Sequence, residues 1–219
     1  MFTKEILIKD IPVLKPEDSG LRALSLMEDL KLKHLPIVRE GHYICLLSEK
    51  DVFAMANQES SLGNSCLYAP YIRDESSVLD ALNMMSKDFL SLLPVLTETG
   101  EYVGAVTLPS LIQGLSELCN VGSEGALIAV ETNRRDYILS QIIHLMESNN
   151  AGILSFFTYS VAETDKQILL FKIDLEDASP VLRSLERFNY KVIYHLQKQM
   201  LTDDVMKKRL DELMFYLEM

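Results

Sequence analysis

The chain has 219 residues, 48% hydrophobic and 24% charged, the balance of an ordinary globular protein long enough for one large domain or two small ones. Its 21 basic and 32 acidic side chains leave a formal net charge of −11, which repels phosphate backbones and anionic lipid and sets nucleic acid and membrane surfaces aside as partners. Cys45, Cys66 and Cys119 are widely spaced and never form a C-x-x-C pair, so they read as free thiols in a reducing compartment, and the four scattered histidines give no zinc spacing.

No apolar run approaches the roughly 18 residues of a membrane span. Met1-Phe2-Thr3-Lys4-Glu5 carries no leader pattern, and the expectation is a cytoplasmic protein.

In chain order, the first feature is an internal repeat. Residues 11–38 align without gaps on 69–96, an offset of 58. Pro12, Glu17, Ser19, Leu21, Ala23 and Leu24 recur as Pro70, Glu75, Ser77, Leu79, Ala81 and Leu82, followed by four further identities ending at Pro36 and Pro94. After one inserted residue, Gly41-His42-Tyr43-Ile44 answers Gly100-Glu101-Tyr102-Val103 at an offset of 59. Each copy reads as a helix capped by Ser19 or Ser77, with apolar residues at helical spacing. A strand follows at 35–38 or 93–96, then a glycine turn and a second strand at 43–47 or 102–106. Ser48 or Thr107 starts a second helix. With a leading strand the unit is β-α-β-β-α, it occurs twice, and the copies are expected to pack as a pseudo-twofold pair.

The marks Leu35-Pro36-Ile37-Val38 with Ser48-Glu49-Lys50-Asp51, and Leu93-Pro94-Val95-Leu96 with Gly104-Ala105-Val106-Thr107, resemble the CBS domain, and two in register resemble the CBS-pair (Bateman) module. The resemblance covers residues 1–120, with repeats at about 1–60 and 61–120. It implies a non-enzymatic regulatory module whose cleft takes an adenosyl ligand of the AMP, ADP, ATP or S-adenosylmethionine class. The ligand contacts it implies are Leu14, His34, Pro36, Ser48, Asp51 and Thr107. In a Ser/Thr-x-x-Asp pattern the carboxylate can accept both hydroxyls of a ribose diol while the hydroxyl faces a phosphate. The same spacing is also a helix capping box, which needs no ligand. Thr107 is followed at the acidic position by Ser110, and Cys45 stands where the family usually has glycine, narrowing the cleft.

Asn120 to Gly125 reads as a linker. Beyond it, a strand at 126–131, a helix capped by Asn133 or Asp136, strands at 153–161 and 167–175, a helix begun by Ser179-Pro180 and a strand at 190–196 give the β-α-β-β-α-β order. Residues 121–199 thus resemble an ACT-like domain, and the combination resembles AcuB-type CBS proteins. Arg134 and Arg135 are the groups there that could pair an amino-acid carboxylate. Residues 200–219 read as a C-terminal helix with Leu201, Val205, Leu210, Leu213, Met214 and Leu217 on one side.

The fold expected is therefore α+β. The function expected is a homodimeric regulator that senses an adenosyl ligand and acts on another protein, with no catalytic residues, no metal and no required cofactor. An interaction scaffold with empty clefts and an amino-acid sensor working through the second half are the alternatives.

Overall fold

The computed structural model describes residues 1–63, 66–134 and 136–196. The chain divides into two units, Met1–Leu118 and Cys119–Met219. The C-terminal helix expected over 200–219 lies outside the described residues.

In the first unit, α1 (Gly20–Leu30) is capped by Ser19, whose side chain accepts from the Arg22 amide. It leads to the antiparallel hairpin β1 (His34–Arg39) and β2 (His42–Ser48) and the short α2 (Glu49–Phe53). The second copy repeats this with β3 (Ile72–Arg73), α3 (Val78–Lys87), β4 (Leu92–Leu96), β5 (Tyr102–Thr107) and α4 (Leu108–Leu118). Hairpin registers coincide, His34 facing Ser48 as Leu92 faces Thr107, and both carry an irregularity at the equivalent step, Ile37/Val38 and Val95/Leu96. The leading strand of the first copy is reduced to Leu14, which exchanges backbone hydrogen bonds with Pro36 and Val38.

The two copies interlock. The N-terminal segment joins the second copy, Ile8 pairing with Ala105. The connector between copies joins the first, Leu46 N–H donating to the Tyr68 carbonyl. Each copy has its own buried core, and Ile11 and Leu32 pack against both. The expectation of three free thiols is corrected here: Cys45 and Cys66 are joined by a disulfide with a Cα–Cα distance of 6.3 Å, and only Cys119 is free. That pair no longer argues for a reducing compartment.

The second unit is β6 (Ala126–Asn133), α5 (Leu139–Glu147), β7 (Ile153–Ser160), β8 (Lys166–Ile173), α6 (Ser179–Arg187) and β9 (Lys191–Leu196). The strands form one antiparallel sheet in the order β7-β8-β6-β9. Alternate residues Ala126, Ile128 and Val130 of β6 and Leu169, Phe171 and Ile173 of β8 meet Ile142, Met146, Val181 and Leu185 of the helices. Two expected caps are displaced. Asn133 Nδ2 donates to Asp136 Oδ2 in the preceding turn, so α5 starts after Ile138 without a side-chain cap. Ser179 is already helical and Ala178 takes the cap position, because the Asp177 carboxylate accepts from the Ser179 amide. No helix among the described residues is long and apolar enough to cross a membrane.

Candidate functional site

Ser48 ends β2 in an extended conformation, φ −98° and ψ 157°, and α2 starts at the next residue. Asp51 donates its amide hydrogen to Ser48 Oγ at 3.2 Å, while its Oδ2 accepts from the Ser48 amide at 2.8 Å and from the Ser48 hydroxyl at 2.6 Å. The pair is a complete capping box. The Asp51 carboxylate is held through Oδ2 by both the amide and the hydroxyl of Ser48.

His34 begins β1, directly opposite Ser48 in the register. It is half-buried, and burial lowers its pKa from the ordinary histidine value. The Asp51 carboxylate pulls the other way, and Lys33 and Lys50 add to the lowering. His34, Asp51, Lys33 and Lys50 therefore share one electrostatic neighbourhood. His34 Nδ1 also accepts from the Ser91 amide at 3.2 Å and lies 3.0 Å from the Ser91 hydroxyl, which ties it to the second copy. Ser91 was not legible as a site residue. The signal available was the repeat itself, because Ser91 is the counterpart of Lys33, and the Lys33 amide donates to the Ser91 hydroxyl at 3.0 Å.

Leu14 and Pro36 lie side by side on the strand edge next to this cluster, Leu14 N–H donating to the Pro36 carbonyl at 2.9 Å. Both side chains are buried, Leu14 completely, so any group approaching there meets backbone and aliphatic wall. Cys45 faces the core of the first copy and the connector.

Thr107 sits at the equivalent place in the second copy. There Ser110 N–H donates to Thr107 Oγ1 at 3.3 Å and the Thr107 amide donates to Ser110 Oγ at 3.0 Å, a capping box built without a carboxylate. A cavity of about 340 Å³ beside Ser110 is lined by α4 and by residues 5–8, and contributes Glu5 and Glu117. Two carboxylates in its wall oppose an anion. Ser48, Asp51, His34, Leu14 and Pro36 are thus gathered on the first copy, and Thr107 stands apart on the second.

In the second unit Arg134 donates through Nη2 to Ser160 Oγ at 2.7 Å, and Arg135 lies outside the described residues. Among the described residues no group of three or more His, Cys, Asp or Glu side chains is placed to hold a metal ion.

A family model described as the CBS domain matches residues 4–56 and 68–117. Inosine-5'-monophosphate dehydrogenase of Korarchaeum cryptofilum is 26% identical over 105 residues, 48% of this chain and 22% of that protein. An uncharacterized protein of Methanocaldococcus jannaschii is 26% identical over 109 residues, 48% of this chain and 25% of that protein. The chain therefore spans about a quarter or less of the curated relatives it matches. Among solved structures, a CBS domain pair/ACT domain protein from Thermotoga maritima is 24% identical with a TM-score of 0.49 over 53% of this chain and 98% of that one. CBSX2 in complex with AMP is 19% identical with a TM-score of 0.48, over 53% of this chain and 97% of that one, and the CBS-pair protein CBSX2 from Arabidopsis thaliana is 18% identical with a TM-score of 0.47, over 53% and 95%.

Proposed function

We propose, from the premise that the first half of the chain is a tandem pair of CBS domains, that the protein is a non-enzymatic regulator whose site at Ser48, Asp51 and His34 takes an adenosyl ligand. The observation that carries this reading is the Asp51 carboxylate. Its Oδ2 is committed to the capping box, and its Oδ1 has no hydrogen-bond partner among the described residues. A carboxylate fixed in this way can accept the hydroxyls of a ribose diol in charge-assisted bonds.

Lys33 and Lys50, close enough to act on His34, supply positive charge for one phosphate group. Residues 1–120 carry 10 basic and 17 acidic side chains. That surplus of negative charge favours AMP, or the cationic S-adenosylmethionine, over ADP and ATP. Leu14 and Pro36 would wall the base, and Thr107 with Ser110 offers no carboxylate, so one competent site per chain follows. In this reading the ligand shifts the relative population of arrangements of the two repeats. The second unit, taken as ACT-like from its β-α-β-β-α-β order, pairs two chains into a homodimer and passes the change to a partner protein.

Thermal melting of the full chain with AMP, ADP, ATP, S-adenosylmethionine and a panel of amino acids tests the proposal. AMP or S-adenosylmethionine is expected to raise Tm. In Asp51→Ser, which copies Ser110 and keeps a cap, that rise is expected to vanish while the unliganded melt stays close to the parent. Absence of any nucleotide response sinks the reading, and a response to one amino acid alone moves the ligand to the second unit.

A further inference from the structure

The sheet of the second unit presents two faces. Alternate residues of β6 and β8 point into the core beneath α5 and α6. The register sets the intervening residues in rows across the opposite face, and the middle row is Phe157, Leu170, Ala129 and Tyr194, in the strand order β7-β8-β6-β9. That row contains no charge. Phe157 and Tyr194 at its two ends are 43% and 48% exposed, and Tyr159, two residues along β7, is 54% exposed. Three large aromatic side chains open to solvent on one sheet face mark an interaction surface.

We infer that the occupant is the same face of a second copy, seated about a twofold axis that runs parallel to the strands between β8 and β6. This names the surface of the homodimer proposed above and rests on that part of the reading, not on the nucleotide site.

Self-complementarity selects this occupant. Such an axis lays β7 of each copy on β9 of the other, and β8 on β6. Phe157 then meets Tyr194 as an aromatic pair, and Leu170 meets Ala129, so a large side chain stands over the smallest one in the row. Each contact occurs twice. The area is sufficient as well: four strands at ~4.8 Å spacing and eight residues at ~3.4 Å give each copy a face of about 500 Å². Two such faces bury about 1,000 Å², the lower bound for a specific pair.

The charges near the middle row are already engaged. Lys172 lies two residues from Leu170 on the same face, but its Nζ donates to the Asn120 and Val121 carbonyls, which turns the ammonium aside and leaves an aliphatic stem. Glu131 is paired by Lys166 at 2.7 Å and by Lys191 at 2.9 Å. An uncharged centre with satisfied charges at its margin is the anatomy of an interface core and rim.

Sedimentation of the full chain tests the surface. The parent is expected to be a dimer. Phe157→Glu combined with Tyr194→Glu, both at exposed positions, is expected to raise the dimer dissociation constant about 100-fold, the loss of two aromatic anchors, with unchanged far-UV circular dichroism. The pairing is read by mixing Phe157→Cys with Tyr194→Cys, each in a Cys119→Ser chain, under glutathione disulfide. A crosslinked pair with one of each is expected. Within one chain the two positions lie three strand spacings apart, about 14 Å, too far for a disulfide. A monomeric parent overturns both the homodimer and this surface. A dimer that survives the double glutamate variant, or that yields no mixed crosslink, overturns the surface alone, and neither result depends on any response to AMP.

Discussion

His34 and Ser91 meet across the repeat boundary: the Ser91 amide donates to His34 Nδ1 at 3.2 Å, and the Ser91 hydroxyl lies 3.0 Å from the same nitrogen. An amide hydrogen pointing at Nδ1 requires that nitrogen to be an acceptor, which assigns the neutral ring its proton on Nε2. The one contact couples the protonation of a site residue to the joint between the two copies.

Acidification is therefore expected to weaken the first unit. Burial lowers the His34 pKa in the fold and outweighs the opposing pull of Asp51. The unfolded chain then binds the proton first, so the stabilising contribution is complete above the ordinary value near 6.5 and is lost as pH falls from there through the lower folded value. A titration of the His34 ring by NMR should give a midpoint below the ordinary value, and AMP should raise it by bringing a phosphate near. A midpoint at or above the ordinary histidine value contradicts the burial argument.

Ser48→Ala removes the hydroxyl that both caps α2 and donates to Asp51. The expected cost is about 1 kcal/mol of stability, the ordinary value of an N-cap, read from urea unfolding. Thr107→Ala should cost a similar amount without changing nucleotide response. Equal loss of AMP stabilisation in both variants would mean that the two copies form one site rather than one competent and one incompetent site.

Reduction of Cys45–Cys66 opens a loop of about 20 residues that contains Ser48, Asp51 and all of α2. By loop-closure entropy the expected loss is about 3 kcal/mol, measured as the difference between urea midpoints with and without a dithiol reductant. Cys45→Ser should match the reduced protein and become insensitive to the reductant. Identical unfolding of the parent under both conditions contradicts the crosslink.

What was legible follows the physics of local pattern. The repeat, its caps at Ser19, Ser48 and Ser77, and the boundaries of β1, β4 and β5 are written in spacing that acts over a few residues. Long-range partners were not. The offset of 59 equates Cys45 with Gly104, and the offset of 58 equates Cys66 with Ile8, so the disulfide occupies the place where the second copy closes Gly104 on Ile8. Neither cysteine stands in a motif, and only the pairing of β2 with the connector brings them together. Asn133 and Ser179 had capping chemistry, but Asn133 bonds Asp136 and the Ser179 amide bonds Asp177, and the cap positions fall to Ile138 and Ala178.

That equivalence yields a substitution with opposite outcomes in the two copies. Gly104 has φ +140°, and a Cβ there would lie 2.5 Å from the Ile8 carbonyl oxygen, a backbone atom fixed by its pairing with Ala105. Gly104→Ala must therefore displace the N-terminal segment or strain β5, at an expected cost of about 2 kcal/mol or more. Cys45 already carries a Cβ in the matching position, so Cys45→Ala should cost only the crosslink and, once the parent is reduced, little beyond one buried sulfur. Urea unfolding of both variants under reducing conditions separates the effects. If Gly104→Ala is as mild as Cys45→Ala, the N-terminal segment does not close on β5 as tightly as the Ile8–Ala105 pairing requires.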